Sequence, residues 1–401
     1  MKYIILLCDG MSDEPIFELG GKTPMEVAYK PNMDALAKNS FVGMCRTVPV
    51  GMKPGSDVAN LSVLGYDPKT CYSGRSPLEA ANIGIELADG QTALRLNFVT
   101  LSEDEPYEQK TMLDYCAGDI TTEESAELIA ALNEVLADDI ISMHTGVSYR
   151  NCMVVNGGEL NLELTPPHDI SGKCINGHLP KQKFYYDLMK KSYDILKDHP
   201  VNKARREKGK HPANSIWLWG EGARPKLEPF SLKYGINGGV VSAVDLINGI
   251  GKCAKMQVAE VEGATGYIDT NFIGKANAVI EQLNTGCDFS YLHIEAPDEC
   301  GHRGELDLKI KSIEIIDEIV LPILLDRLSE LGDFRLLIMN DHPTPIKKLT
   351  HTADPVPFIL YDSRKVADGV SSFNEKTAAA TGVFVEGVDM MKLLLELRAK
   401  C

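Results

Sequence analysis

Short apolar runs alternate with segments of helical apolar periodicity near both ends of the chain. The runs predict strands at residues 2–8, 238–244, 289–295, 334–340 and 356–361. The periodic segments predict helices at residues 24–40, 58–64, 245–252, 272–283, 307–331 and 390–399, with interruptions at Pro31 and Pro322. Strands that are apolar throughout are typical of a parallel sheet covered on both faces. We therefore predict a doubly wound α/β core with a mainly parallel sheet.

The middle of the chain has a different pattern. It predicts strands at residues 93–101, 140–144 and 151–155, and helices at residues 122–137 and 183–197, the first capped by Thr121 or Thr122. Residues 199–213 are polar and basic and are typical of a surface linker. We interpret residues 90–222 as a smaller α+β domain inserted into a core formed by residues 1–89 and 223–401, which suits a chain of 401 residues.

Three of the core strands run into an aspartate, and histidines follow two of them. The residues are Asp9, Asp298, His302, Asp341, His342 and His351. Ligands of open α/β sheets bind beyond the carboxyl ends of parallel strands, so these residues meet at one edge. One such residue alone is more typical of a cap or a structural contact. Together, the carboxylates and imidazoles predict a divalent metal site, and specifically a site for two ions.

The composition of the chain narrows the classes of partner that the protein could bind. The net charge is −16, which argues against nucleic acid or an anionic membrane as the main partner but not against a small anionic substrate. No two of the 10 cysteines have C-x-x-C spacing, and scattered thiols are typical of a cytoplasmic protein. The first apolar run is too short for a signal sequence, and no apolar run is long enough for a membrane helix. The oligomeric state stays open.

Ser56 is a candidate nucleophile. It lies in Gly55-Ser56-Asp57, directly before the helix predicted at residues 58–64. A hydroxyl at a helix N-terminus lies beside free backbone N–H groups and the positive end of the helix dipole. These features stabilise an alkoxide or a phosphoryl group, and a nearby metal would lower the hydroxyl pKa further. The alternative is an ordinary N-cap serine.

Several motifs along the chain resemble those of the alkaline phosphatase superfamily, and in particular its cofactor-independent phosphoglycerate mutases of the shorter, archaeal-type branch. The motifs are CDGM at 8–11, GSDVANL at 55–61, PDECGH at 297–302, NDH at 340–342 and HTADPVP at 351–357, with GYDP at 65–68, GRSPLEA at 74–80 and EGATG at 262–266. The resemblance extends from residue 1 to about residue 365 and is densest in the core. Longer mutases have Glu after the nucleophile, whereas this chain has Asp57, as in the shorter branch.

The resemblance implies roles for individual residues. Ser56 would become a phosphoserine. One metal ion would be held by Asp9, Ser56, Asp341 and His342, and the other by Asp298, His302 and His351. Lys233 would neutralise phosphoryl oxygens. The implied cofactors are two divalent ions without bisphosphoglycerate; Mn²⁺, Zn²⁺ or Co²⁺ suits the imidazoles better than Mg²⁺, which stays possible.

A mutase must also retain the dephosphorylated glycerate and exclude water, and we expect the insert to do this. Arginines pair bidentately with carboxylate and phosphate, so Arg75, Arg95 and Arg150 are candidate substrate-binding residues. His168 and Asp169, in a loop rich in Pro and Gly, are candidates for handling hydroxyl protons. An arginine that simply points to solvent is the alternative for Arg95 and Arg150.

The expected function is therefore interconversion of 3-phosphoglycerate and 2-phosphoglycerate by an isomerase of glycolysis and gluconeogenesis. The alternative of the same class is a metal-dependent phosphohydrolase or another phosphotransferase, which would need no substrate-retaining insert. A sulfatase is disfavoured, because CYSGR at 71–75 has Ser where the sulfatase signature has Pro and because Ser56 already fills the nucleophile position. A non-catalytic binding protein would have lost a ligand or the nucleophile, and none is lost.

Overall fold

The computed structural model describes residues 1–396 and divides the chain into two compact units. Unit 1 contains residues 1–72 and the chain from Lys226 onward, and unit 2 contains Ser73–Pro225. The insert predicted at residues 90–222 lies within unit 2, which begins earlier because the helix at Ser76–Asn82 packs on strands of that unit. In the described part of the chain, no helix is long and apolar enough to cross a membrane.

The strands are numbered in chain order. They are β1 Lys2–Cys8, β2 Phe41–Arg46, β3 Gln91–Leu101, β4 Met112–Asp114, β5 Ile141–Val147, β6 Arg150–Asn156, β7 Ser215–Ala223, β8 Gly238–Val241, β9 Gln257–Ala259, β10 Phe289–Ile294, β11 Phe334–Met339, β12 Val356–Asp362 and β13 Phe384–Glu386.

The α-helices are numbered in the same way. They are α1 Pro24–Val27, α2 Pro31–Lys38, α3 Ser56–Val63, α4 Pro68–Cys71, α5 Ser76–Asn82, α6 Thr122–Leu136, α7 Lys183–Leu196, α8 Pro200–Glu207, α9 Phe230–Tyr234, α10 Asp245–Cys253, α11 Phe272–Asn284, α12 Ala296–Arg303, α13 Leu306–Ile315, α14 Leu321–Glu330, α15 Glu375–Ala380 and α16 Met390–Glu396. Residues 397–399 of the last predicted helix lie outside the described residues.

Unit 1 is built on one sheet with the strand order β13-β2-β12-β11-β1-β10-β8-β9. The central strands β11, β1, β10 and β8 are parallel, whereas β12 runs antiparallel to both β11 and β2. The central strands are buried on both faces, which is why their sequences are mainly apolar rather than alternating. The mainly parallel α/β core expected from the sequence is thus confirmed.

Unit 2 is a smaller α+β unit around the long strand β3. This strand pairs antiparallel with β6 on one side and β7 on the other, and β5 extends the sheet beyond β6. Helices α6 and α7 contribute Leu128, Leu132 and Leu188 to an apolar core with the sheet. The N-cap of α6 is Thr121, whose side chain accepts from Glu124 N–H in a capping box.

The surface linker predicted at residues 199–213 is wrong in part, because residues 200–207 form helix α8. Its Arg205 is 1% exposed. The guanidinium donates to the carbonyl oxygens of His211 and Ala117 and forms an ion pair with Glu124. The basic composition of this segment suggested that it is exposed to solvent. Instead, these partners satisfy the charge of Arg205 inside unit 2.

The helix predicted at residues 307–331 is continuous but irregular. Helices α13 and α14 are joined by a π-helical turn at Ile316–Val320, and Pro322 lies at the start of α14. Proline cannot donate the backbone hydrogen bond of a regular helix, so a widened turn before it accommodates the ring. The predicted interruption is therefore a local widening of the helix.

Candidate active site

The carboxyl ends of β1, β10 and β11 lie side by side, because β1 pairs with both other strands. Asp9 directly follows β1, Asp341 comes two residues after β11, and Asp298 lies in the first turn of α12, just after β10. All three side chains are almost completely buried. The sheet topology thus brings together carboxylates that are hundreds of residues apart in sequence.

Gly10 allows this close approach. Its φ is +62°, and a Cβ at this position would lie 2.5 Å from Asp298 Cα. Any larger residue would push α12 away from the end of β1. A buried lysine fixes the neighbouring loops, since Lys309 Nζ donates to Asp13 Oδ2 at 2.8 Å and to the Thr344 carbonyl at 2.8 Å.

The first group of side chains surrounds Ser56. His342 Nε2 lies 3.3 Å from Asp341 Oδ2, 3.7 Å from Asp9 Oδ1 and 3.1 Å from Ser56 Oγ. Donor atoms of Asp9, Asp341 and His342 all lie within 4.8 Å of one another. Ser56 is the first residue of α3, so its hydroxyl lies both at a helix N-terminus and beside this group.

The second group adjoins the first. Asp298 Oδ2 lies 3.3 Å from His302 Nε2, and Asp298 Oδ1 lies 3.5 Å from His351 Nε2. The rings of His342 and His351 stack with centroids 3.9 Å apart, which joins the two groups. The structure therefore brings all six predicted strand-end residues together, with Ser56 at one side.

The electrostatics of this cluster fit bound cations. Asp9 Oδ1 is buried without a hydrogen-bond partner. Burial, together with the negative charges of Asp341 and Asp298, raises the pKa of Asp9 well above its usual value. The Nε2 atoms of His302 and His351 lie 2.8 Å apart, and they lie 3.3 and 3.5 Å from the carboxylate oxygens of Asp298. A divalent ion on each group would satisfy these atoms and compensate the buried negative charge.

Protonation differs between the two groups. Burial works to raise the pKa of Asp298, but hydrogen bonds from His302 and His351 outweigh it and hold that pKa well below its usual value. The same hydrogen bond to Asp298 raises the pKa of His302 to about 9. Burial lowers the pKa of His342, which favours the neutral imidazole that a metal ligand requires.

Four residues at the site were missed by the sequence reasoning. His293 Nε2 lies 2.9 Å from Asp9 Oδ2, and Asn60 Nδ2 donates to Asp341 Oδ2 at 2.9 Å. Tyr291 donates to Asn60, and a carboxylate oxygen of Glu295 lies within 4.8 Å of donors of Asp9 and Asp298. The signal was present, because Tyr291, His293 and Glu295 are polar residues in or beside a strand that is otherwise apolar.

Lys233 lies beside Tyr66 and Tyr234, with Nζ 5.3 and 5.5 Å from their ring centroids. Tyr66 follows the C-terminal end of α3, whereas Ser56 begins this helix. A contact between Lys233 and a phosphoryl group on Ser56 therefore stays a prediction.

In unit 2, the predicted Arg75 and Arg95 share one carboxylate. Arg75 Nε lies 3.1 Å from Glu79 Oε1, and Arg95 forms an ion pair with the same side chain. The Arg95 guanidinium also lies over the ring of Trp219, 4.3 Å from its centroid. Glu79 therefore brings the two guanidinium groups together around one carboxylate.

The other predicted residues of unit 2 are His168, Asp169 and Arg150. They lie along a series of aromatic ring contacts that begins at Trp219. His168 lies 5.5 Å from the Trp219 ring and 6.1 Å from Tyr115, and Tyr115 contacts Tyr149 at 6.1 Å. Arg150 is exposed and lies 5.7 Å from the Tyr149 ring. Asp169 Oδ1 lies 3.6 Å from His168 Nε2, and both side chains are at least half exposed.

Comparison with known proteins places the chain in a family. Residues 37–202 match the family model described as 2,3-bisphosphoglycerate-independent phosphoglycerate mutase. The chain is 49% identical to a protein of Geobacter sulfurreducens named a probable 2,3-bisphosphoglycerate-independent phosphoglycerate mutase, over 99% of this chain and 100% of that protein. It is 47% identical to the 2,3-bisphosphoglycerate-independent phosphoglycerate mutase of Methanothrix thermoacetophila, over 98% of this chain and 100% of that protein.

Solved structures agree with these matches. A Pyrococcus horikoshii protein superimposes with a TM-score of 0.81 at 29% identity, over 99% of this chain and 97% of that one. The cofactor-independent phosphoglycerate mutase of Thermoplasma acidophilum superimposes with a TM-score of 0.65 at 25% identity, over 99% of this chain and 100% of that one.

The relatives that match over nearly the whole length define the chain first as an enzyme of the isomerase class. It belongs to the family of 2,3-bisphosphoglycerate-independent phosphoglycerate mutases. The enzyme class and the family expected from the sequence motifs are thereby confirmed.

Proposed function

We propose that this enzyme interconverts 3-phosphoglycerate and 2-phosphoglycerate through a phosphoserine on Ser56. The observation that carries the proposal is the position of Ser56 Oγ, 3.1 Å from His342 Nε2 and at the N-terminus of α3. A serine hydroxyl that lies at a helix N-terminus and beside a buried group of carboxylates and imidazoles suits a nucleophile better than a simple cap.

The site residues would act as two sets of metal ligands. Asp9, Ser56, Asp341 and His342 would hold one divalent ion, and Asp298, His302 and His351 would hold the other. When bound, the two ions would neutralise phosphoryl charge and lower the pKa of the Ser56 hydroxyl. Imidazole donors favour Mn²⁺, Zn²⁺ or Co²⁺ over Mg²⁺.

The chain's own groups would carry the transfer. The Ser56 oxygen attacks the phosphorus of 3-phosphoglycerate, the bond from phosphorus to the substrate O3 breaks, and O3 takes up a proton. The glycerate then turns, and its 2-hydroxyl attacks the phosphorus of the phosphoserine while losing a proton. The bond from phosphorus to Ser56 Oγ breaks, which regenerates Ser56. His168, oriented by Asp169, would give and take these protons, and Lys233 would neutralise phosphoryl oxygens.

Retention of the glycerate distinguishes a mutase from a phosphohydrolase. We assign this role to unit 2, where Arg75, Arg95 and Arg150 would hold the carboxylate. The support is the row of side chains from Glu79 to Arg150, which connects the predicted arginines to His168 through Trp219 and Tyr115. A cytoplasmic location follows as a further prediction from the scattered reduced cysteines.

An assay coupled to enolase tests the proposal. The protein is stripped with EDTA, reloaded with Mn²⁺ and given 3-phosphoglycerate with and without added 2,3-bisphosphoglycerate. We expect equal rates in both reactions and none after stripping. Release of inorganic phosphate without 2-phosphoglycerate would instead identify a phosphohydrolase.

A further inference from the structure

Strand β10 carries two polar side chains on one face, Tyr291 and His293. They are two residues apart, so they point to the same side of the sheet. Both side chains are 0% exposed. In the sheet, β10 lies between β1 and β8, which are mainly apolar strands. Buried polar side chains are costly unless their hydrogen bonds are satisfied, so their partners indicate their role.

The hydrogen bonds of His293 have a single consistent direction. The Val244 N–H donates to Ser242 Oγ at 3.0 Å, and Ser242 Oγ lies 3.1 Å from His293 Nδ1. When Asp9 holds a metal ion it is ionised and can only accept, so in that state His293 Nε2 carries the ring proton and donates it to Oδ2. In the neutral ring Nδ1 is then an acceptor, and the Ser242 hydroxyl is its donor. Ser242 thus selects the tautomer that binds Asp9.

The hydrogen bonds of Tyr291 act on the other carboxylate. The Tyr291 hydroxyl donates to Asn60 Oδ1, which fixes the orientation of the Asn60 amide. Its Nδ2 then donates to Asp341 Oδ2 at 2.9 Å and to the Ser56 carbonyl at 2.7 Å. If the amide were reversed, its oxygen would face both the carboxylate and the carbonyl oxygen.

We propose that Ser242 with His293, and Tyr291 through Asn60, are positioning residues that hold Asp9 and Asp341 in the orientation that binds a metal ion. His293 engages Oδ2 of Asp9 and leaves Oδ1, which has no hydrogen-bond partner among the described residues, directed toward His342. Asn60 links the orientation of Asp341 to the first turn of α3, where Ser56 lies. The inference rests on the metal site of the proposed function.

Variants that each remove a single hydroxyl test this positioning role without changing any of the proposed metal ligands. Ser242→Ala and Tyr291→Phe each remove one donor, and Ser290→Ala is the matched control. Ser290 is also buried in β10, but its hydroxyl donates to Gln282, away from the site. The measurement is Mn²⁺ affinity of the stripped full-length protein by calorimetry, with the melting temperature of each variant in EDTA as the measure of folding.

We expect Ser242→Ala and Tyr291→Phe to bind the Mn²⁺ ion of the Asp9 and Asp341 group about 10–100-fold less tightly, as is usual when partners of metal ligands are removed. Ser290→Ala should bind as the unsubstituted protein does, and Ser242→Thr, which restores the hydroxyl, should recover most of the affinity. Saturating Mn²⁺ should restore much of the lost turnover, because the ligands themselves remain.

Unchanged Mn²⁺ affinity in both Ser242→Ala and Tyr291→Phe would overturn the inference. An equal loss in Ser290→Ala would also overturn it, since the effect would then be general weakening of β10. Should Ser242→Ala fail to fold, Tyr291→Phe, which keeps nearly the same volume, decides alone. If the unsubstituted protein binds no Mn²⁺, the proposed function fails and not merely the inference.

Discussion

Ser56 combines a helix N-terminus with a neighbouring imidazole and two buried carboxylates. Neither feature alone distinguishes a nucleophile from a cap, because both are common around serines. Their combination depends on the sheet: α3 starts next to the ends of β1 and β11 only in the folded chain. At the scale of single residues, this position is the basis of the proposed phosphoryl transfer.

Replacement of the nucleophile should abolish turnover without abolishing metal binding. In Ser56→Ala, we expect the turnover number to fall by at least about 10⁴-fold, as for other nucleophile deletions, because no oxygen remains to accept the phosphoryl group. Ser62→Ala is the control on the same helix, since Ser62 Oγ is buried without a partner and its loss leaves nothing unsatisfied. The enolase-coupled rate and Mn²⁺ binding are both measured; an active Ser56→Ala protein would exclude a phosphoserine on Ser56.

Individual residues of the site were predictable from sequence when they follow a strand. Asp9 and Asp341 come at the ends of apolar runs, so their meeting point follows from parallel topology. His293 and Asn60 were not predictable in this way. Their partners are distant in sequence, so His293 stands out only as a polar residue in a mainly apolar strand, and Asn60 carries no sign of its partners.

At the scale of elements, the site depends on how closely α12 approaches the end of β1. Gly10 and Gly20 both have positive φ, +62° and +67°, so alanine at either position has a similar backbone cost of about 1–2 kcal/mol. Only at Gly10 would the added Cβ collide with a neighbouring backbone, that of Asp298.

We therefore expect Gly10→Ala to weaken Mn²⁺ binding by at least about tenfold, whereas Gly20→Ala should lower only the melting temperature. Calorimetric titration of both variants, each stripped of metal, makes the comparison. Equal Mn²⁺ affinity in the two variants would show that the contact between Gly10 and Asp298 does not set the geometry of the site.

A buried ion pair joins β11, β12 and α16. Arg335 and Asp362 are direct neighbours across the two strands, and Arg335 Nη1 also donates to the carbonyl oxygens of Leu394 and Leu395 at 2.8 Å. Burial works to raise the pKa of Asp362, but hydrogen bonds from Arg364 and Arg335 outweigh it and hold the pKa well below its usual value. The pair therefore stabilises the fold mainly when Asp362 is ionised.

Asp362→Asn should lower the free energy of unfolding by about 3–5 kcal/mol at pH 7, because the buried Arg335 charge loses the carboxylate that lies 2.8 Å from its Nε. The folded-state pKa is depressed, so the stabilisation is complete above the unfolded pKa of about 4 and is lost as the pH falls through the folded-state value. Urea unfolding at pH 7 and at pH 4 measures the difference between the two proteins.

The difference should be smaller at pH 4 than at pH 7. Asp326→Asn, at an exposed position, should change stability by less than about 0.5 kcal/mol at either pH. A difference for Asp362→Asn that grows as the pH falls would contradict the assigned direction of the pKa shift.

Most elements of unit 1 were predictable, because β1, β10 and β11 are mainly apolar runs and α11 and α13 have clear periodicity. The antiparallel direction of β12 was not predictable, since an apolar run has no direction in its composition. Helix α8 was missed because its buried positions include Asn202 and Arg205, which a reading of apolar periodicity counts as polar surface.

At the scale of the whole molecule, we propose that unit 1 carries out the transfer chemistry and that unit 2 retains the glycerate. An enzyme that transfers but cannot retain would lose the glycerate and leave the phosphoserine to water. Substitutions in unit 2 should therefore change the product more than they change formation of the phosphoenzyme.

We expect Arg150→Ala to raise the ratio of inorganic phosphate to 2-phosphoglycerate by about tenfold, the effect of one lost charged contact of about 1.4 kcal/mol. Arg224→Ala is the control, because Arg224 is an exposed arginine of unit 2 whose ion pair with Asp89 spans 3.7 Å. Both products are quantified in one reaction. A fall in 2-phosphoglycerate without any rise in the ratio would argue against a retaining role for Arg150.

The most direct test of the central claim is to locate the transferred phosphoryl group. The Mn²⁺-loaded protein is mixed with 3-phosphoglycerate labelled in its phosphate and quenched in acid within the first turnover, and the labelled peptide is then mapped. Phosphoserine survives acid, so the account predicts label on the peptide that contains Ser56 and none in Ser56→Ala. Label on a different residue, or turnover to 2-phosphoglycerate with no labelled protein at any time, would contradict it.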